Sequence, residues 1–188
     1  MTHTQPAFDR IVMPHLDAAY NLARWLTGDV HDANDLAQEA MLRALRFFAS
    51  FHGDDARAWL LTIVRNTYYS SWRRARTHEP AVEFEEELHS LEDAGSPLAR
   101  AHACANPEDA VSARQQVARV DAALARLPLE YREALVLREV EDLSYRAIAD
   151  MLAIPMGTVM SRISRARTLL ARELAGPAAG ITRLRRAS

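Results

Sequence analysis

Apolar residues return at three- and four-residue intervals along two long stretches, from about Ala7 to Arg76 and from Ala113 to about Gly176. That period belongs to helices with one buried face. The runs are nearly free of Gly and Pro and rich in Ala, Leu, Arg and Glu, so an all-α protein is predicted. Two breaks, "GDVHDAND" and "SFHGDDA", divide the first stretch. In the second, Pro128 separates "ARQQVARVDAALARL" from "LEYREALVLREV", two shorter helices follow, and Gly176-Pro177 stops the last. Between the stretches, residues 77–112 mix Pro, Gly, Ser and acids without a sustained period. They read as a linker with a short helical piece near Phe84–Leu91. The expected organisation is two small helical domains, residues 1–76 and 113–176, on a flexible acidic linker, with a basic tail at 177–188.

The segment "IPMGTVMSRISRARTLLAREL" carries a thin apolar stripe among many arginines. Advancing about 100° per residue places Val159, Ile163, Ala166, Leu170 and Leu174 within a sector of roughly 80°. Such a stripe docks on one neighbouring helix pair and no more. Met160, Ser161, Arg162, Ser164, Arg165 and Thr168 lie opposite it or on its flanks. Upstream, "LSYRAIADMLAI" predicts a short helix with Ser144 as N-cap and Ile148, Ala149 and Leu152 apolar. Pro155 and Gly157 break the chain between the two, and Thr158 is placed to cap the second. A short helix, a tight turn and a helix with an exposed basic face form the helix-turn-helix pattern, in which the second helix enters the DNA major groove. The plainer alternative is a surface helix solvated by its arginines.

Two helices of the first stretch stand out. Along residues 34–48, Leu36, Ala37, Ala40, Met41, Ala44, Leu45, Phe47 and Phe48 share one half, and Asp35, Gln38, Glu39, Arg43 and Arg46 the other. Leu42 sits in the middle of the polar half. It reads either as an ordinary exposed leucine or, ringed by Asp35, Gln38 and Glu39, as the apolar anchor of a protein-docking patch. Along residues 58–76, Trp59, Leu60, Ile63, Val64, Thr67 and Ser71 face inward. Arg65, Tyr69, Trp72 and Arg73 take the other side, with Thr62 and Asn66 at its edge. Aromatics interleaved with arginines suit stacking on unpaired bases while guanidiniums hold phosphates, and Asn66 suits a base edge. The alternative is that Tyr69 and Trp72 pack under the linker.

Charge sharpens this picture. The formal net charge of −2 conceals seven acids and no Arg between Glu79 and Asp93, against seven arginines and one acid, Glu173, between Arg162 and Arg186. Basic surfaces for a polyanion, joined by an acidic connector, are implied. All 23 basic residues are Arg, which forks onto phosphates and guanine edges better than Lys, although a GC-rich genome produces the same bias. Cys104 alone forms no internal disulfide, no Cys/His cluster has zinc spacing, and no other metal or cofactor is expected. The N-terminus lacks the basic start and apolar core of a signal peptide, and no 18-residue apolar run exists to insert into a membrane. A cytoplasmic location is the expectation. No Gly-rich phosphate loop, H-E-x-x-H or G-x-S-x-G motif appears, and the histidines (His3, His15, His31, His52, His78, His89, His102) are scattered, so the chain reads as non-enzymatic with no catalytic residues.

At these residues the chain resembles the extracytoplasmic-function (ECF) group of bacterial RNA polymerase sigma factors, along almost its whole length. "DLAQEAMLRALR" resembles that family's core-polymerase-binding segment, with Asp35, Leu36, Gln38 and Glu39 on its motif and Leu42 beside them. "WLLTIVRNTYYSSWRR" is similar to its promoter −10 segment, where Trp59, Leu60, Ile63 and Asn66 match; Arg65, Asn66, Tyr69, Trp72 and Arg73 become the −10 DNA set. "LPLEYREALVLREVEDLSYRAIADMLAIPMGTVMSRISRARTLL" resembles its −35-reading domain, with Thr158, Met160, Ser161, Arg162, Ser164 and Arg165 as the duplex-facing set. The resemblance implies a factor that docks on the clamp helices of the polymerase's largest subunit and the flap of the second. It would capture a flipped base of the melted −10 element, thread its acidic linker toward the active centre, and join the nucleoid as holoenzyme. An anti-sigma protein covering both domains is a further implied partner. Met160 stands where the family often has Lys or Arg, Ala147 where Glu is common, Ala153 where a turn Gly is common, and Ser70 where Asp frequently follows Asn66. A helix-turn-helix regulator that binds an operator without polymerase is the alternative. It requires dimerisation for half-site spacing, and no heptad seam is evident.

Overall fold

The computed structural model describes residues 4–78 and 107–175. The expected helical piece near Phe84–Leu91 and the basic tail lie outside the described residues. Among the described residues every regular element is helical. The N-terminal set comprises α1 (Thr4–Ile11), α2 (Leu16–Thr27), α3 (Val30–Phe47) and α4 (Ala56–His78), with short 3-10 turns at Met13–His15 and Phe48–Ser50. The C-terminal set comprises α5 (Pro107–Ala125), α6 (Leu129–Glu139), α7 (Tyr145–Leu152) and α8 (Met156–Ala175).

Helices α2, α3 and α4 pack on one another around Leu22, Ala40, Leu60, Leu61 and Val64, all essentially without solvent exposure. The "GDVHDAND" break is shorter than its composition implied. Gly28 closes α2 in the left-handed region at φ 76°, where the missing Cβ removes the penalty. Asp29 then caps α3 at once, its carboxylate accepting from His31 and Asp32 N–H at 2.7 and 3.0 Å. The inward face of α4 also differs from the set expected from the sequence. Leu61 is buried, whereas Ser71 is exposed and its hydroxyl returns to the Tyr68 carbonyl at 2.8 Å.

In the C-terminal set α5 begins at Pro107, inside the segment expected to be linker. Ser144 caps α7 as expected, accepting from the Ala147 N–H at 3.1 Å. Thr158 caps nothing: α8 already begins at Met156, and the Pro155 carbonyl accepts the N–H groups of Thr158 and Val159. Val159, Ile163 and Ala166 are buried against the set, so the narrow stripe does dock α8. Its partners are three helices, α6, α7 and α5, where the narrow stripe implies a single helix pair. The two sets also meet, through α2 on α6 and α4 on α7.

Ala153 ends α7 at φ 54°, ψ 44°, with its N–H bonded to the Ala149 and Asp150 carbonyls. A Cβ in that left-handed position costs about 1–2 kcal/mol, and glycine returns part of that gain through its looser unfolded chain. Ala153→Gly is therefore expected to raise stability by about 0.5–1 kcal/mol, read from the urea unfolding midpoint.

Candidate nucleic-acid interface

Three surfaces carry the residues singled out from the sequence. On α3, Asp35, Gln38, Glu39 and Leu42 are exposed, Leu42 by 53%. Glu39 accepts from Arg43 Nε at 2.8 Å, and that bond holds its carboxyl below the usual range. Leu36 departs from the docking set. It lies in the core at 8% exposure, so it seats α3 from beneath and presents nothing to a partner. Gln38 and Leu42 line a groove of about 780 Å³ between α3, α2 and the chain start, together with Met13, Leu16, Met41 and Leu45. Asp35 and Glu39 stand outside that lining. Met13, Leu16 and Leu45 are themselves exposed, a groove-forming trio that periodicity had assigned no role or an inward one. An apolar surface of this kind rimmed by polar groups marks a protein-interaction site.

On α4, the side expected to face water is partly covered. Arg65 Nε donates to Glu133 Oε1 at 2.8 Å, and the Tyr69 hydroxyl donates to Glu133 Oε2 at 3.3 Å. The Arg65 guanidinium also lies 4.6 Å from the Tyr69 ring centre. Glu133 belongs to α6, so this cover of Arg65 and Tyr69 comes from the other helical set. Arg73 Nε reaches the Tyr69 carbonyl at 3.3 Å, while Asn66, Trp72 and Arg73 keep exposed surface, Trp72 at 39%.

On α8, Met160, Ser161, Ser164 and Arg165 form one exposed face, with Thr158 half-buried at its start. Arg162 is drawn aside to Glu130 of α6 at 2.9 Å and is only a quarter exposed. Arg165 Nη1 lies 3.5 Å from the Tyr131 hydroxyl and stays exposed. Met156, 47% exposed in the first helical turn, extends the face beyond the predicted set.

Two carboxylates join the two helical sets by ion pairs, and a third lies within electrostatic reach of an arginine across the seam. Glu133 pairs with Arg65, Glu141 Oε2 accepts from Arg57 Nη2 at 2.5 Å, and buried Asp121 of α5 faces buried Arg24 of α2. Burial raises the carboxyls of Glu133 and Glu141, opposed by Arg65 and Arg57. It pushes Asp121 up to about 7, opposed by Arg24. A signal was present in "EALVL": residues 133–137 are all buried and circle the whole helix, which requires cover on every side.

Family models match in chain order: sigma-70 region 2 at residues 11–78 and sigma-70 region 4 at residues 118–170. The ECF RNA polymerase sigma factor SigE of Mycolicibacterium smegmatis is 35% identical over 88% of this chain and 60% of its own length. The RNA polymerase sigma-H factor of Pseudomonas aeruginosa is 36% identical over 89% of this chain and 86% of its own. Among solved structures, the sigma factor RpoE of Bartonella quintana, in complex with the anti-sigma factor NepR, shares 27% identity at a TM-score of 0.70, covering 90% of this chain and 98% of that one. Among the described residues no helix is long and apolar enough to cross a membrane.

A carboxyl raised by burial keeps its proton to higher pH when the sets are docked than when they are apart. The stabilisation linked to Asp121 is thus complete below its ordinary 3.8 and is lost as pH rises through about 7. Between about pH 4 and pH 7 the wild type is expected to lose stability with a slope of up to about 1.4 kcal/mol per unit relative to Asp121→Asn. Urea unfolding of both chains across that range checks the difference.

Proposed function

The chain belongs to the extracytoplasmic-function group of the sigma-70 family, whose members direct transcription initiation from promoters, and on that premise we propose how its three surfaces divide the work. The α3 groove with Leu42, Gln38 and the neighbouring Asp35 and Glu39 docks core polymerase, and the clamp helices of the largest subunit fit as its occupant. An amphipathic partner helix would place its apolar face on Met13, Leu16, Leu42 and Leu45. Arg65, Asn66, Tyr69, Trp72 and Arg73 of α4 engage the melted −10 strand, the guanidiniums on phosphates and the rings on bases. Thr158, Met160, Ser161, Ser164 and Arg165 enter the −35 major groove, with Arg162 restrained by Glu130. Met160 suits apolar contact with a thymine methyl, where a cation would favour guanine.

The chain makes the polymerase specific and forms no bond itself. The flap of the second largest subunit is the second docking point, and the RpoE–NepR likeness supports an anti-sigma protein as a further partner. The observation that carries this reading is the groove: an operator-binding regulator accounts for α7 and α8 but needs neither the α3 groove nor an aromatic–arginine face on α4.

Mixing the chain with core polymerase is expected to yield a stable one-to-one complex that starts run-off transcripts on a subset of genomic fragments; no complex and no transcripts would defeat the proposal. Leu42→Asp should abolish that complex with helix content unchanged by circular dichroism, since a surface change of this kind shifts stability by about 0.5 kcal/mol or less. Trp72→Ala should weaken promoter opening by about 1–3 kcal/mol while sparing polymerase binding. Arg165→Ala should cost about 1–3 kcal/mol of −35 duplex affinity at fixed salt.

A further inference from the structure

We propose that Met156 and Met160 form an oxidation-sensitive reading element on α8: as thioethers they pack on thymine methyls of the −35 duplex, and as sulfoxides they release it. This rests on the reading of α8 as the −35 helix. Among the described residues of the C-terminal set these two are the large apolar side chains left exposed, at 47% and 44%. Packing does not call for them, because Val159, Ile163 and Ala166 already supply the stripe that docks α8. They stand four residues apart, so they share one face and lie about 6 Å apart along the axis. That spacing is close to two base-pair steps of about 3.4 Å. Ser164 continues their row, and Gly157, Ser161 and Arg165 form the row beside it. A Cβ added at Gly157 would meet no atom of another element within 4 Å, so the ground beside the sulfurs is open.

Methionine and leucine suit such a contact about equally in size and helix propensity, but only methionine changes polarity by oxidation. The sulfur of an exposed thioether attacks one oxygen of a hydroperoxide. An S–O bond forms as the O–O bond breaks, and two electrons pass from sulfur to the peroxide. With hydrogen peroxide, the hydroxide that leaves takes the proton of the transferred hydroxyl and becomes water. The sulfoxide is polar and seeks a hydrogen-bond donor, which a thymine methyl does not offer. A dithiol acting through a sulfoxide reductase reverses the step, giving back the thioether with water and a disulfide. Arg165 keeps its charge in either state. Oxidation therefore removes base discrimination and leaves phosphate attraction in place. Met151 of α7, only 7% exposed, is sheltered from the same reagent and serves as an internal reference, whereas Met13 in the α3 groove, at 42%, shares the susceptibility.

The test uses the full chain in a Cys104→Ser background, treated with hydrogen peroxide, assembled with untreated core polymerase and purified as holoenzyme. Peptide mass spectrometry is expected to find oxygen on Met156 and Met160 well before Met151. On a promoter fragment selected by run-off transcription, the treated holoenzyme should bind about tenfold more weakly than the untreated one, with helix content unchanged by circular dichroism. On the same fragment without its −35 segment the treatment should make no difference. Sulfoxide reductases supplied with a dithiol should restore the lost affinity. The double variant Met156→Leu, Met160→Leu retains Met13 and Met41, and its affinity, whatever its starting value, should be the same before and after peroxide. An equal loss in that variant, or full affinity in the parent chain with both sulfurs oxidised, overturns the proposal. Arg165→Ala and removal of the −35 segment separate the two failures. If both weaken binding while oxidation does not, the −35 reading stands and the methionine element falls. If neither matters, the reading of α8 falls and takes the element with it.

Discussion

Helix α6 is the constraint on which the arrangement depends. Glu133, Ala134, Leu135, Val136 and Leu137 are all buried, five consecutive positions that face every direction around the axis. A helix of that kind cannot lie on a surface. It is covered by α7 and α8 from its own set and by α2 from the other. Its carboxylates are sorted by the same geometry. Glu130 and Glu139 hold Arg162 and Arg167 of α8, while Glu133 and the following Glu141 hold Arg65 and Arg57 of α4. One short helix thereby sets the posture of α8 and the contact between the two helical sets.

The two contributions of α6 differ in kind. Its apolar residues bury surface at about 25 cal/mol per Å², a gain that does not depend on charge. Its buried carboxylates add direction but little net energy, because desolvation offsets the attraction. Affinity between the sets therefore comes from the apolar side chains, and register and sensitivity to competing anions come from the carboxylates. Removing one partner of such a pair is costly, since the other remains buried and charged. That explains why the seam is complementary throughout, with cations on one side and anions on the other.

Local chemistry was legible in the sequence and tertiary cover was not. The Ser144 cap, the docking stripe Val159–Ile163–Ala166 and the exposed Leu42 follow from period and side-chain type alone, and each is found. Thr158 lies inside the first turn of α8 and not at its cap, because the helix starts two residues earlier, directly after Pro155. The "GDVHDAND" segment looked like a loop by composition, yet one left-handed Gly28 and one capping Asp29 suffice for the turn. Glu133 escaped notice for a deeper reason. A glutamate in a helix is read as solvated by default, and only the run of apolar neighbours around it betrays a second covering surface.

The docked arrangement treats the two faces proposed to meet DNA unequally, and the inequality traces back to which side of each helix is needed for packing. Helix α8 spends one narrow stripe on its own set, so Met160, Ser161, Ser164 and Arg165 remain at the surface whether or not the sets are docked. Helix α4 is packed by α2 and α3 on one side and met by Glu133 on the other, so Arg65 and Tyr69 are exposed only at the expense of the seam. A face that reads intact duplex can stand open without hazard, because its specificity lies in base edges and a wrong sequence is released. A face that stacks on unpaired bases and grips phosphates accepts almost any single strand. Covering the less selective of the two surfaces is the arrangement that physical chemistry favours in a chain whose only cationic side chains of fixed charge are arginines.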